Sequence, residues 1–142
     1  MNISYTPFTL DDYTQVIDLW EKCEGIGLSA ADSVEGIEKY LERNPGMSLV
    51  ARDFDTVVGS ILGGHDGRRG YIHHLAVSPA YRRQGVGRKL VEECIAGLQG
   101  WGIQKIHIFI FNDNEVGIAF WEQIGWTYRK DISLISKIIK IS

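Results

Sequence analysis

The chain has 142 residues, which fits one domain and leaves little room for two. Lys plus Arg number 15 against 18 Asp plus Glu, a net charge of −3, which argues against general nucleic-acid binding and against a polybasic membrane anchor. Hydrophobic residues at 44% and charged residues at 23% describe an ordinary globular chain and not a disordered one. Cys23 and Cys94 make no Cys-x-x-Cys and have no His partner nearby in sequence, so neither a disulfide framework nor a metal site is expected. The start, Met1 to Pro7, lacks the basic and apolar parts of a signal peptide. No run approaches the ~18 apolar residues of a membrane span. The expectation is a soluble cytoplasmic protein with no nucleic-acid or membrane partner.

Ile3 to Thr6 reads as a short strand ended by Pro7. Thr9 offers an N-cap, and Leu10, Tyr13, Val16, Ile17 and Trp20 follow at helical spacing to about Cys23. Glu24 to Ala31 is a Gly-containing connector, after which Asp32 and Glu35 suit a capped second helix through Ile37, Tyr40 and Leu41, closed by Asn44-Pro45-Gly46. Met47 to Arg52 and Thr56 to Leu62 are strand-like, joined by Asp53-Phe54-Asp55. Gly63 to Gly70 reads as a turn around Asp66-Gly67. Tyr71 to Val77 is a strand stopped by Ser78-Pro79, and Gly85 to Leu98 is a helix. Lys105 to Phe111 is the most apolar strand and is expected at the centre of the sheet. Asn114 to Gln123 is a short helix ended by Gly125, and Trp126 to Lys130 and Ile132 to Ile139 read as closing strands. The order is β-α-α-β-β-β-α-β-α-β-β. The helix between Tyr71–Val77 and Lys105–Phe111 is a crossover, so those two strands should be parallel within a mixed sheet.

The segment Arg82-Arg83-Gln84-Gly85-Val86-Gly87-Arg88-Lys89 opens the Gly85 helix with four basic side chains and no acidic one. Glycines expose backbone N–H groups there, and the helix N-terminus adds partial positive charge. In a net-acidic chain this points to an anionic ligand, and phosphate suits a loop of bare amides. A P-loop is absent, because no Gly-x-x-x-x-Gly-Lys-Ser/Thr occurs. A dinucleotide fingerprint fits poorly, because Leu90 stands where the last small residue belongs and the loop follows the fourth strand. A glycine-rich helix start with a solvated basic face remains the plain alternative at this point.

Arg82-x-x-Gly85-x-Gly87, preceded by Leu75-Ala76-Val77-Ser78-Pro79-Ala80-Tyr81, resembles the acyl-CoA pyrophosphate loop of the GNAT superfamily, the CoA-dependent N-acetyltransferases. Asn114-Glu115-x-x-Ile118-Ala119-Phe120-Trp121-Glu122-x-x-Gly125-Trp126 is similar to a second segment of that family, with matching spacing from Asn114 to Gly125. The resemblance is strongest over residues 71–126 and weak before 47. It implies a single N-acetyltransferase domain over 1–142, of α/β (α+β) class. The expected architecture is a mixed central sheet of about seven strands flanked by about four helices. It implies acetyl-CoA as acyl donor and no metal. The pantetheine arm would pair with backbone at Leu75, Ala76 and Val77, between two splayed strands. The amides of Arg82, Arg83, Gln84, Gly85, Val86, Gly87 and Arg88 would wrap the pyrophosphate. Asn114, Gly117, Phe120 and Trp121 would flank the pantetheine and the acetyl end. The acceptor would be a primary amine of a small molecule or a peptide N-terminus, acetylated directly, so neither cysteine need act as a nucleophile. A homodimer is left open.

The sequence departs from the family at three positions. Trp121 stands where many members have a Tyr that protonates the leaving thiolate, and an indole N–H is not a usable acid near neutral pH. Gly117 replaces the usual Ala. Phe109 lies near the place of the Glu that some members use as base. His73 and His74 offer a neutral imidazole instead, and strand alternation is expected to send them to opposite faces, with His73 the candidate. Trp121 also raises a different reading, a catalytically quiet acyl-CoA-binding sensory or interaction module. Arg68 and Arg69 on the Gly63–Gly70 turn are read as solvated charges or as a contact to a substrate carboxylate or a partner.

Overall fold

The computed structural model describes residues 2–139. Contacts divide the chain after Phe111 into two compact units. The first holds β1 (Ile3–Pro7), a 3-10 turn at Leu10–Asp12, α1 (Tyr13–Lys22), a second 3-10 turn at Ala30–Asp32, α2 (Val34–Arg43), β2 (Leu49–Asp53), β3 (Thr56–His65), β4 (Gly70–Val77), a third 3-10 turn at Pro79–Tyr81, α3 (Val86–Gly100) and β5 (Ile106–Ile108). The second holds α4 (Glu115–Gln123).

The sheet order is β1-β2-β3-β4-β5. The first three pairings are antiparallel and β4–β5 is parallel, as the crossover through α3 requires. Helices α1 and α2 cover one face, where Val16, Trp20, Ile37, Val50, Leu62 and Ala76 join one buried cluster. Within it the Trp20 indole donates to the Ser60 hydroxyl at 2.8 Å, which satisfies both polar atoms in an apolar setting. Helix α3 packs on the other face through Val86, Leu90, Val91, Cys94 and Leu98, the stripe its sequence period requires.

Gly63 and Gly64, read above as part of a turn, lie inside β3, and the turn itself is shorter. There Asp66 accepts the amides of Arg68 and Arg69, each at 2.8 Å, and these donors hold its carboxyl below the usual range. The two strand glycines let helices approach from both sides. A Cβ on Gly63 would run into Cys94 Sγ and stand 2.8 Å from the Met47 carbonyl oxygen, and one on Gly64 would strike the Tyr40 hydroxyl. Gly63→Ala is therefore expected to destabilise the fold by about 1–3 kcal/mol through overpacking. Urea unfolding checks this: the midpoint should fall with an unchanged slope, and an unshifted midpoint would mean that α3 yields without cost.

Two strand expectations are corrected. The Lys105–Phe111 run is not central: its strand is confined to Ile106–Ile108 at the edge of the sheet, and Phe109 and Phe111 are exposed. Pairing stops because β4 changes course at the next position, as described below. The closing strands at 126–130 and 132–139 are not formed among the described residues, so the sheet has five strands, not about seven. Ile132, Leu134, Ile135, Ile138 and Ile139 are exposed. Their spacing breaks alternation between 134 and 135, and a β-branched run makes a strand only where a ladder and a half-buried face receive it.

Candidate active site

β4 carries a bulge. Its register on β3 runs Leu62↔His74 and then Gly63↔Ile72, so His73 is an extra residue on β4. The extra residue cancels the alternation expected of the two histidines. Both rings meet the α1–α2 layer: His74 packs edge-on against Trp20 at 4.6 Å, and His73 against Tyr40 of α2 at 5.5 Å. The expectation that they face opposite sides is thus overturned, and the bulge is the reason.

The bulge also opens the sheet. β4 and β5 pair through Gly70↔Ile106, Tyr71↔His107 and Ile72↔Ile108, and the ladder ends there. From His74 to Val77, β4 keeps β3 on one side and, among the described residues, has no strand on the other. His73 stands at the first unpaired position. Its ring lies near-parallel to Tyr71 (6.3 Å) and Phe109 (6.5 Å). Desolvation by these surroundings, then the charge of His74, push its pKa below the ordinary 6.5, against an opposing pull from Asp32. The imidazole is therefore neutral at pH 7 and able to accept a proton.

His74 has a different task. Its Nε2 lies 2.9 Å from Asp32 Oδ1. The other carboxylate oxygen of Asp32 accepts the Ser29 amide at 3.0 Å, and its backbone carbonyl accepts the Tyr13 hydroxyl at 2.7 Å. The pair ties the connector after α1 to β4. Nothing local in the sequence signals a contact between residues 32 and 74, and Tyr40 reads there only as a core position of a helix.

Beyond the fork, Leu75 and Val77 are half-buried and Ala76 is buried. The Val77 carbonyl is already engaged by the Arg82 Nε–H at 3.0 Å and the Cys23 thiol at 3.7 Å, which leaves its amide but not its carbonyl for a ligand. Arg82 thus folds back on the strand instead of reaching outward. Tyr81 fixes the same turn by donating to Asp53 at 2.6 Å. Arg83 follows with φ +62°, a left-handed conformation that costs a non-glycine residue about 1–2 kcal/mol. Gly85, φ +84°, is the N-cap of α3 and has open space where a Cβ would stand. The first helical bond runs from Lys89 N–H to the Gly85 carbonyl at 3.0 Å, so the amides of Val86, Gly87 and Arg88 precede it without a helical acceptor. Arg88 and Lys89 pair along the helix with Glu92 (3.5 Å) and Glu93 (3.1 Å). Arg83 is exposed and makes no ion pair among the described residues. Gln84 donates to the Ala80 carbonyl at 3.3 Å.

In the second unit, Asn114 caps α4 by accepting the Gly117 amide at 3.0 Å. Trp121 packs edge-on against Trp126 at 4.5 Å and Phe120 at 5.4 Å. Both cysteines are free and buried, and burial pushes the Cys94 thiol up to about 12, which removes it as a nucleophile near neutral pH. Among the described residues no group of three or more His, Cys, Asp or Glu side chains could hold a metal ion, and no helix is long and apolar enough to cross a membrane.

Residues 13–126 match the acetyltransferase (GNAT) family. The chain is 35% identical over 130 residues to an acetyltransferase of Sodalis glossinidius, covering 92% of this chain and 91% of that protein. Its fold is similar to the Ard1 structure from Thermoplasma volcanium, with TM-score 0.79, 20% identity and coverage of 89% and 84% of the two chains. It is also similar to the PaiA N-acetyltransferase of Thermoplasma acidophilum in complex with coenzyme A, with TM-score 0.78, 18% identity and coverage of 91% and 92%.

Proposed function

The chain belongs to the acetyltransferase (GNAT) family and is an N-acetyltransferase; we propose that it moves the acetyl group of acetyl-CoA directly onto a primary amine at the β4–β5 fork. One observation carries the reading: β4 loses its partner at His73 and runs, unpaired on that side, into a loop that ends in the free amides of α3. An extended amide-bearing arm suits the first feature and a pyrophosphate suits the second. The whole chain, 1–142, acts as one domain in this reading.

Acetyl-CoA supplies the thioester carbonyl. The amides of Leu75 and Val77 face the open edge, because the alternation of the ladder turns the Ala76 amide toward Ser60 of β3, and one of the two would donate to the carbonyl oxygen as negative charge develops there. Neutral His73 takes the proton that the ammonium must lose before its nitrogen can attack. Attack forms the C–N bond and breaks the C–S bond; the thiolate leaves with the electron pair, and the second proton of the attacking nitrogen passes through water to the thiolate, which is released as free thiol. Arg83 and the amides of Gly85 to Arg88 hold the pyrophosphate, which fixes the thioester along β4. Nothing in the geometry favours a quiet binding module. The test is thiol release from acetyl-CoA with a panel of amines and N-terminal peptides. Amine-dependent release supports the proposal, and tight CoA binding without release on a broad panel overturns it.

Trp121 cannot serve as the acid for the thiolate, because indole does not ionise near neutral pH. Its ring packs edge-on against Phe120 and Trp126. Trp121→Phe is therefore expected to keep at least about a third of kcat and to cost about 1 kcal/mol of packing. Trp121→Tyr, which adds a phenol, should match or exceed the parent. Single-turnover thiol release decides this: a collapse of several orders of magnitude in Trp121→Phe with CoA affinity intact would give the indole N–H a specific role.

A further inference from the structure

The fork carries more aromatic surface than a base requires. The rings of Tyr71, His73 and Phe109 lie with mutual interplanar angles of 13°, 15° and 28° and centroids 6.2–6.5 Å apart. They do not close over one another: His73 is exposed and Phe109 is 52% exposed. The connector after α1 comes in at one end, where a Cβ on Gly27 would stand 2.9 Å from the Phe111 ring, so glycine lets the backbone lie close to it. Charge narrows the occupant further. Asp32, whose charge pulls on His73, has both carboxylate oxygens engaged, by His74 and by the Ser29 amide. That carboxylate is therefore not open to a second ammonium of the acceptor. A flat ring extends the parallel array by offset contact, and a single ammonium is welcome at ring faces.

We infer that this surface is the acceptor subsite for an arylalkylamine, a flat ring bearing one primary amine on a short alkyl chain. The ring lies along Phe109 and Tyr71, and the amine reaches His73. The inference rests on the acetyl-transfer reading above and adds the substrate class to it.

Thiol-release kinetics with phenylethylamine, isopentylamine, spermidine and an N-terminal peptide test it. The parent protein should show kcat/KM for phenylethylamine about tenfold above isopentylamine, the scale of one or two ring contacts, and well above the other two. Phe109→Leu should shrink the phenylethylamine-to-isopentylamine ratio about fivefold. Phe109→Tyr, which keeps a ring, should preserve it. Acetyl-CoA titration of each variant confirms that the fold is intact. A preference for spermidine or the peptide overturns the inference, as does a ratio unchanged in Phe109→Leu. Saturation-transfer NMR of phenylethylamine with the protein and CoA separates the two readings. Ring signals that need Phe109, without thiol release from any amine, would leave the subsite standing and overturn acetyl transfer. Release without aryl selectivity would do the reverse.

Discussion

Replacing His73 with Phe should lower kcat/KM for the amine about 100-fold, at the lower end of what a positioned base contributes. The substitution keeps a ring against Tyr40 and Phe109 and removes both nitrogens, so packing and proton transfer are separated. The pH dependence gives the sharper signature. The depressed pKa of His73 places its titration below 6.5. The imidazole must be neutral to act, so the rate should rise with pH through that value and then again as the amine itself deprotonates. His73→Phe should lose the lower limb and keep the upper one. Stability has the same sign. A histidine whose pKa is lower folded than unfolded leaves stability untouched above 6.5 and erodes it as pH falls below. Activity and melting temperature of the parent therefore both decline in acid, and a thermal melt of His73→Phe across the same range tells them apart. A variant that retains the acidic limb would remove His73 from the role of base.

His74→Asn extends the same logic to the connector. The imidazole holds Asp32, and Asp32 holds Ser29 and Tyr13. Its loss should raise KM for the amine by several-fold while acetyl-CoA affinity stays close to the parent, because a slack connector loosens the acceptor side alone. Equal changes in both constants would show a general loss of order.

The loop and the histidines illustrate what a sequence carries and what it does not. The strand–loop–helix of residues 71–98 was legible because its signals are local: Ser78-Pro79 stops a strand, glycine opens a helix, and apolar residues recur at helical spacing. The parallel pairing of β4 and β5 followed from handed crossover geometry alone. The faces of His73 and His74 were not legible, because period-2 alternation assumes an unbroken ladder and the bulge opposite Leu62–Gly63 has no residue signature of its own. The fork's ring set was missed for a related reason. Tyr40 lies on α2, Tyr71 on β4 and Phe109 just past β5, and only the fold brings their rings to His73. The edge position of β5 was misjudged because an all-apolar run reports burial tendency and not sheet order.

Gly85→Val should weaken acetyl-CoA binding by about tenfold or more, and a substitution series shows why. Gly85 sits at φ +84° with nothing within 4 Å of an added Cβ, so the protein itself does not exclude a side chain there. Two effects remain. A β-branched residue resists the left-handed conformation by about 1–2 kcal/mol and would swing the amides of Val86, Gly87 and Arg88 out of line. Any Cβ also occupies the open space that a pyrophosphate would use. Gly85→Asn tolerates left-handed backbone but fills the space, whereas Gly85→Ala fills it least and still strains the turn. If conformation dominates, affinity should fall in the order Gly, Asn, Ala, Val. If occupancy dominates, Ala should bind better than Asn. Arg82→Ala should do less than Gly85→Val, because Arg82 is spent on the Val77 carbonyl and acts on the ligand through loop shape. Arg83→Ala should weaken binding in a salt-dependent way, because its guanidinium has no partner among the described residues and its effect is screened as ionic strength rises. Calorimetric titration with acetyl-CoA at two salt concentrations reads all of these, and an unchanged affinity in Gly85→Val would move the pyrophosphate away from the start of α3.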